Sequence, residues 1–330
     1  MAGLDFWKGK NVFITGATGF IGSHLASALC ERADVTILKR DHVRNSFLEL
    51  SGSSDKINAA RGDLEDLDAV MRAIAEYEID TVFHIGAQPI VNISRIEPLK
   101  TFESNIKGTW NVLEACRLVS YESKRIEKII VASSDKSYGS QAPPYTEDMH
   151  LGGESPYDVS KACADMIAQS YFKNYSLPVC ISRLGNVFGP GDINFNRIIP
   201  GTIKSIIKNE DIVIRSDGSC VREYFYVKDA VNAYLVLAEN MVRKEILGHA
   251  FNFGSGEKMS VLDIVNKISG FMGCKKSPKI MNSAKNEIQT QFLSTEKAKR
   301  LLKWTPSYTF KQALPETVAW YREFFGERHE

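Results

Sequence analysis

The stretch Asn11-Val12-Phe13-Ile14-Thr15-Gly16-Ala17-Thr18-Gly19-Phe20-Ile21-Gly22 decides the fold. An apolar run with β-branched residues reads as a strand, three glycines follow at equal spacing, and a helical stretch begins behind them. Glycines at a strand-to-helix junction allow a tight turn and bring the backbone close to a pyrophosphate. The helix start then offers free N–H groups and the positive end of its dipole. Gly16, Thr18, Gly19, Phe20, Ile21 and Gly22 are therefore candidate cofactor contacts.

Outward from this loop, short β-rich runs alternate with helical stretches. Strands are expected at 35–38, 57–60, 81–85, 129–132 and 179–182. Helices are expected at 67–77, near 99–118 and at 157–175. This alternation predicts an α/β fold, a doubly wound parallel sheet of Rossmann type. Past residue 183 the rhythm loosens, with Gly185, Gly189, Pro190 and Gly191 marking loops. Residues 1–184 read as the dinucleotide-binding domain, with some later segments returning to it. Residues 185–330 read as a smaller mixed α/β substrate domain. No repeat or low-complexity linker separates them, so the two parts are expected to share a cleft.

Composition narrows the function by exclusion. The 330 residues carry 44% apolar and 25% charged side chains and a formal charge of +1. That balance matches an ordinary soluble protein and gives no basic surface for nucleic acid or membrane. No apolar run reaches the ~20 residues that cross a bilayer. The first residues lack a basic segment followed by an apolar one, so no signal peptide is expected and the protein is placed in the cytoplasm. Six scattered cysteines without a Cys-x-x-Cys pair argue against a metal site or a disulfide framework.

The end of the second strand addresses the cofactor's ribose. An Asp or Glu there holds a 2′-hydroxyl. Here Lys39-Arg40 comes first and Asp41 follows. Two cations suit a 2′-phosphate, which favours NADP and leaves NAD as the alternative. Asp63-Leu64 after the third strand can meet the adenine, and Ile85-Gly86-Ala87 after the fourth can let the cofactor pass closely.

Chemistry concentrates in Ser133-Ser134-Asp135-Lys136-Ser137-Tyr138-Gly139, with Tyr157 and Lys161 downstream. Tyr157 and Lys161, four apart, share one helix face. A phenol near pKa ~10 is a poor base unless its anion is stabilised. An ammonium does that and can also bond a nicotinamide ribose. With Ser134, the trio can take a proton from a sugar alcohol while hydride leaves its carbon. Oxidation of a sugar to its 4-ketone makes the C5 proton acidic. Lys136 then suits the base that removes it, and Asp135 the acid that protonates the departing C6 oxygen. The plain alternative is a solvated Asp-Lys pair.

These motifs resemble the extended short-chain dehydrogenase/reductase superfamily of nucleotide-sugar enzymes, in which the G-x-x-G-x-x-G spacing occurs. The likeness runs from Thr15-Gly16 to the helix at 313–321. Within it, the Ser-Asp-Lys triplet, Phe6-Trp7-Lys8-Gly9-Lys10 and Ala87-Gln88-Pro89 resemble the CDP-glucose 4,6-dehydratases. Most sugar 4,6-dehydratases carry Asp-Glu or Ser-Glu at Asp135-Lys136. CDP-glucose dehydratases use NAD, whereas Lys39-Arg40 is similar to the NADP-using GDP-mannose and UDP-N-acetylglucosamine dehydratases. The segment Gly191 to Arg197 also differs from the CDP-glucose form, which leaves CDP-glucose and GDP-hexose types both open. The resemblance implies a 4,6-dehydratase with a tightly held, recycled cofactor, and a homodimer joined by the helices near 99–118 and at Tyr157. It further implies that Asn186, Arg197, Arg215 and Arg222 meet the diphosphate, Glu287 the nucleotide ribose, and Gln88 and Ser94 the sugar. Two other functions are compatible: a nucleotide-sugar 4-epimerase, and a non-catalytic NADP-binding regulator. The intact Ser134, Tyr157 and Lys161 argue against the regulator.

Overall fold

The computed structural model describes residues 6–123, 125–283 and 288–326. Its strands in chain order are β1 Asn11–Thr15, β2 Asp34–Lys39, β3 Asn58–Arg61, β4 Thr81–His84, β5 Lys128–Ser134, β6 Val179–Leu184, β7 Asn186–Phe188, β8 Val213–Ile214, β9 Val221–Tyr226, β10 Ala250–Phe253, β11 Lys258–Ser260, β12 Lys279–Ile280 and β13 Thr290–Gln291. Seven of them form one parallel sheet in the order β10-β6-β5-β4-β1-β2-β3. Strand order reverses between β1 and β4, and ligands of doubly wound sheets bind at such a reversal, beyond the carboxyl ends of the strands.

Both faces of this sheet are covered, which is why its strands read as nearly unbroken apolar runs. On one face Val12, Ile14, Phe83 and Ile130 pack with the helices Phe20–Leu29 and Val227–Asn240. On the other, Phe13, Val82, Ile129 and Val131 pack with Leu67–Glu76 and Gly108–Ser123. Every residue of β5 is buried, so the strand delivers Ser134 to the end of a rigid rod. β10 joins this sheet from late in the chain. A second sheet centres on β9, flanked by β11, β13 and β7, and β8 pairs with β12.

The expected single helix at 99–118 is interrupted. Helix Pro98–Phe102 passes into a π-helical turn at Glu103–Lys107 before α-helix resumes at Gly108. Wider turns of this kind gather at functional sites. Strand β9 carries Arg222 and Glu223. All six cysteines are free thiols. Among the described residues no helix is long and apolar enough to cross a membrane, and no cluster of three or more His, Cys, Asp or Glu side chains could hold a metal ion.

Candidate active site

The glycine loop has the shape a pyrophosphate requires. Gly16 adopts φ +73°, and a Cβ there would lie 2.7 Å from the Gly86 Cα, so the loops after β1 and β4 touch. A Cβ on Gly22 would fall 2.2 Å from the Gly16 carbonyl oxygen, so any side chain would separate loop from helix. The Phe20–Leu29 helix starts at Gly19 with no capping side chain and no acid in its first turn. Its first N–H groups are left for an anion. These features fit a dinucleotide, with Thr18, Phe20 and Ile21 on the same loop and helix start and Ala87 half-buried beyond Gly86. Lys39 ends β2. Arg40 places Nε 2.6 Å from Asp41 Oδ2 and Nη1 3.9 Å from Asp63 Oδ2. The Leu64 carbonyl accepts from Asn111 Nδ2 at 2.8 Å, and its side chain fills the space beside Gly86 and Gly108.

Ser134 ends β5, and Asp135–Tyr138 continues as one 3₁₀ turn. The Ser134 hydroxyl donates to Asp135 Oδ1 at 3.0 Å and accepts from the Lys136 N–H at 3.2 Å. Lys136 Nζ lies 3.4 Å from Asp135 Oδ2. The Pro156–Tyr175 helix opens with a reciprocal Ser155/Asp158 capping box and Pro156 in its first turn, which fixes where Tyr157 sits. Ser134 neighbours the Tyr157 phenol. Burial pushes the Tyr157 phenol up to about 12, while the Arg197 charge and the neighbouring Ser134 hydroxyl pull the other way. Lys161 is buried and donates from Nζ to the Ala132 carbonyl. Burial draws its ammonium down to about 8, opposed by Asp165. Burial is the largest influence on the phenol, and the Arg197 charge is its largest counterweight.

Four further groups surround this cluster. Gln291 on β13 accepts from Lys136 Nζ and donates from Nε2 to the Asp135 carbonyl at 3.2 Å. Glu223 on β9 is buried, accepts from the Gly256 N–H, and accepts from the Leu293 N–H at 3.2 Å. Burial lifts its carboxyl, and the Asp135 charge adds to that rise. Asn105 in the π turn accepts from the Gln88 N–H and donates to the Gln88 carbonyl at 3.1 Å and to Ser160 Oγ at 2.8 Å. His84 lies between Thr15 Oγ1, 2.9 Å from Nδ1, and Thr109 Oγ1, 3.0 Å from Nε2. Because Thr109 donates its hydroxyl to Asn105 O, it accepts from His84, which places the ring proton on Nε2. Burial holds this imidazole neutral, its pKa lowered to about 3. The one signal for His84 in the sequence is a polar residue ending an apolar strand. Gln291 leaves none.

The expected substrate contacts scatter. Asn186 Nδ2 donates to the Glu223 carbonyl at 3.2 Å. Arg222 donates from Nη1 to the Val221 carbonyl at 2.9 Å and pairs in register with Gln291. Arg197 is half-buried, its Nη1 3.0 Å from Asp192 Oδ2, and its charge reaches Tyr157. Arg215 is exposed and donates to Asn196 Oδ1 at 2.9 Å. Gln88 spends its amide on Ile90 O and Thr101 Oγ1, and Ser94 donates to Val91 O at 2.7 Å within its own helix. Glu287 lies outside the described residues.

Residues 12–254 match the NAD dependent epimerase/dehydratase family. The chain belongs to this family. A trifunctional UDP-glucose 4,6-dehydratase/UDP-4-keto-6-deoxy-D-glucose 3,5-epimerase/UDP-4-keto-L-rhamnose-reductase of Arabidopsis thaliana is 32% identical over 96% of the chain. The match spans only 48% of that relative, about half its length. The CDP-glucose 4,6-dehydratase of Salmonella typhimurium is 29% identical over 98% of this chain and 93% of its own. The structure of a Bacillus anthracis dTDP-glucose 4,6-dehydratase in complex with NAD superposes with a TM-score of 0.83 and 26% identity, covering 95% of this chain and 97% of that one. Family membership makes this chain a relative of NAD-dependent nucleotide-sugar enzymes. Sugar-nucleotide 4-epimerases are also among the similar structures.

Proposed function

We propose that this protein is a nucleotide-diphosphosugar 4,6-dehydratase that forms a 4-keto-6-deoxy sugar by internal hydride transfer. The observation that carries it is the Asp135–Lys136 pair, 3.4 Å apart and directly after Ser134, beside Tyr157. The nicotinamide, when bound, supplies a store for the hydride between its departure from C4 and its return to C6. Tyr157 takes the C4-hydroxyl proton, with Ser134 against the phenol. Lys136 takes the C5 proton, and Asp135 gives a proton to the C6 oxygen leaving as water. An ammonium facing a carboxylate holds one mobile proton, and its shift to the carboxylate creates both the neutral base and the neutral acid with no change of net charge. Elimination of water then returns the pair to its charged form.

The cofactor proposed is NADP, on Lys39 and Arg40, with NAD as the competitor. Arg40 is exposed and its ion pairs with Asp41 and Asp63 are surface pairs, worth about 0–1 kcal/mol each. Such pairs yield readily to a 2′-phosphate. The diphosphate contacts proposed are Arg222, Arg197 and Asn186, and the protein is proposed to act as a homodimer. Support for the dimer is the set of exposed apolar residues Leu99, Trp110, Met166 and Tyr175 on the two helical segments. Free thiols throughout suit the reducing cytoplasm.

The experiment is mass spectrometry of CDP-, GDP-, UDP- and dTDP-hexoses incubated with the protein. Native spectra of the same sample read the subunit number and the mass of the cofactor carried. Loss of one water from one substrate is expected, abolished in Lys136→Ala and Asp135→Asn. Unchanged mass with a new C4 epimer would establish the second reading, a 4-epimerase, which the similar epimerase structures support. Full dehydration by both variants would sink the assigned roles.

A further inference from the structure

Gln291 is 1% exposed and sits on a two-residue strand far along the chain, yet its amide meets the Asp135–Lys136 turn at two points. Its orientation follows from chemistry. An ammonium only donates, so Oε1 faces Lys136 Nζ. A backbone carbonyl only accepts, so Nε2 faces Asp135 O at 3.2 Å. Both functions of the amide are committed to the turn that carries the elimination chemistry.

The same residue is tied to the substrate side. Gln291 is the register partner of Arg222, and Arg222 Nη1 lies 3.4 Å from the Gln289 carbonyl. Two residues on, the Leu293 N–H donates to Glu223. The segment 289–293 thus threads between the β9 arginine and the Asp135–Lys136 turn.

We propose that Gln291 is a positioning residue: its amide aims the Lys136 amine for removal of the sugar C5 proton and links that aim to the strand bearing Arg222. This rests on the dehydratase reading above. A neutral acceptor is the appropriate partner for such a base. It orients the amine through a hydrogen bond, whereas a carboxylate would add a full charge that holds the proton on nitrogen. The charged groups facing Lys136 are Asp135 on its own turn and Asp158 on the Pro156–Tyr175 helix, with Glu223 on β9 facing Asp135. Gln291 is the neutral member of this shell.

The test compares Gln291→Met and Gln291→Glu in the cofactor-loaded enzyme, using the hexose nucleotide that the wild type dehydrates. Gln291→Met removes both hydrogen bonds at similar volume. Its kcat should fall roughly tenfold or more, within the range that general-base catalysis contributes, with KM little changed. In Gln291→Glu the ascending limb of the kcat–pH profile should move to higher pH, and turnover should recover under alkaline conditions where Gln291→Met stays slow. Should Gln291→Met not fold, the Gln291→Glu profile alone decides. Wild-type kcat and an unshifted profile would overturn the inference, as would a kcat loss in Gln291→Glu that equals the Gln291→Met loss at every pH. A wild type that releases no water from any hexose nucleotide would overturn the dehydratase reading and this inference with it, a failure visible before any variant is made.

Discussion

Tyr157 and Lys161 share a helix face, but they lean on different supports. The phenol is held high by burial and is drawn down first by Arg197, whereas Lys161 is drawn down by burial and supported by Asp165. Removing Arg197 must therefore make the phenol harder to ionise. In Arg197→Gln, the ascending limb of the kcat/KM profile, which reports the free enzyme, should move to higher pH. Arg197→Lys keeps the charge and should keep the limb in place. Asp192, the present partner of Arg197, retains the Asn194 N–H at 3.1 Å in either variant. An unmoved limb in Arg197→Gln would show that the arginine charge does not reach the phenol.

At the scale of elements, the π turn at Glu103–Lys107 joins three parts of the site. Its Asn105 clamps the backbone of Gln88, in the loop beside the cofactor cradle, and bonds Ser160 on the helix that carries Tyr157 and Lys161. Asn105→Ala leaves the Gln88 N–H and carbonyl and the Ser160 hydroxyl without this partner. Ser160 Oγ keeps its bond to the Tyr157 carbonyl, so the two Gln88 groups set the cost: a stability loss of about 2–6 kcal/mol is expected, at ~1–3 kcal/mol for each polar group left unmet, and urea unfolding measures it. A loss below ~1 kcal/mol would mean that water replaces the amide. This element also shows where the sequence stops being legible. The central strands are readable because burial on both faces demands β-branched and aliphatic residues at every position. The glycine loop and the Tyr157/Lys161 spacing are readable because local geometry alone requires them. The π turn is set by what Asn105 ties together across the fold, and nothing in local propensity marks it. Gln291 is harder still, because a two-residue strand has no period and its partner lies 155 positions away.

Across the whole molecule, a buried charge pair joins the helix of Tyr157 and Lys161 to the sheet. Arg183 on β6 grips Asp165 with Nε 2.8 Å and Nη2 3.0 Å from the two carboxylate oxygens. The same guanidinium donates to the Tyr138 hydroxyl at 2.7 Å, and Tyr138 donates to Asn252 Oδ1 on β10 at 2.8 Å. The last residue of the Asp135–Tyr138 turn, the helix of Tyr157, and two strands thus meet at one hub. Such a pair is a weak source of net stability, because desolvating two ions offsets most of their attraction, whereas breaking it strands a buried charge at a cost of about 3–5 kcal/mol. Arg183→Met and Asp165→Leu should each show that loss in urea unfolding, and the double variant should lose less than either single. Activity should not follow stability back. Asp165 is the charge that opposes burial at Lys161, so without it the ammonium should lose its proton at a pH below about 8. The double variant should therefore fold well, turn over poorly at neutral and alkaline pH, and improve as pH is lowered and Lys161 is recharged. Equal rescue of stability and activity at pH 8 would mean that Asp165 serves the fold alone.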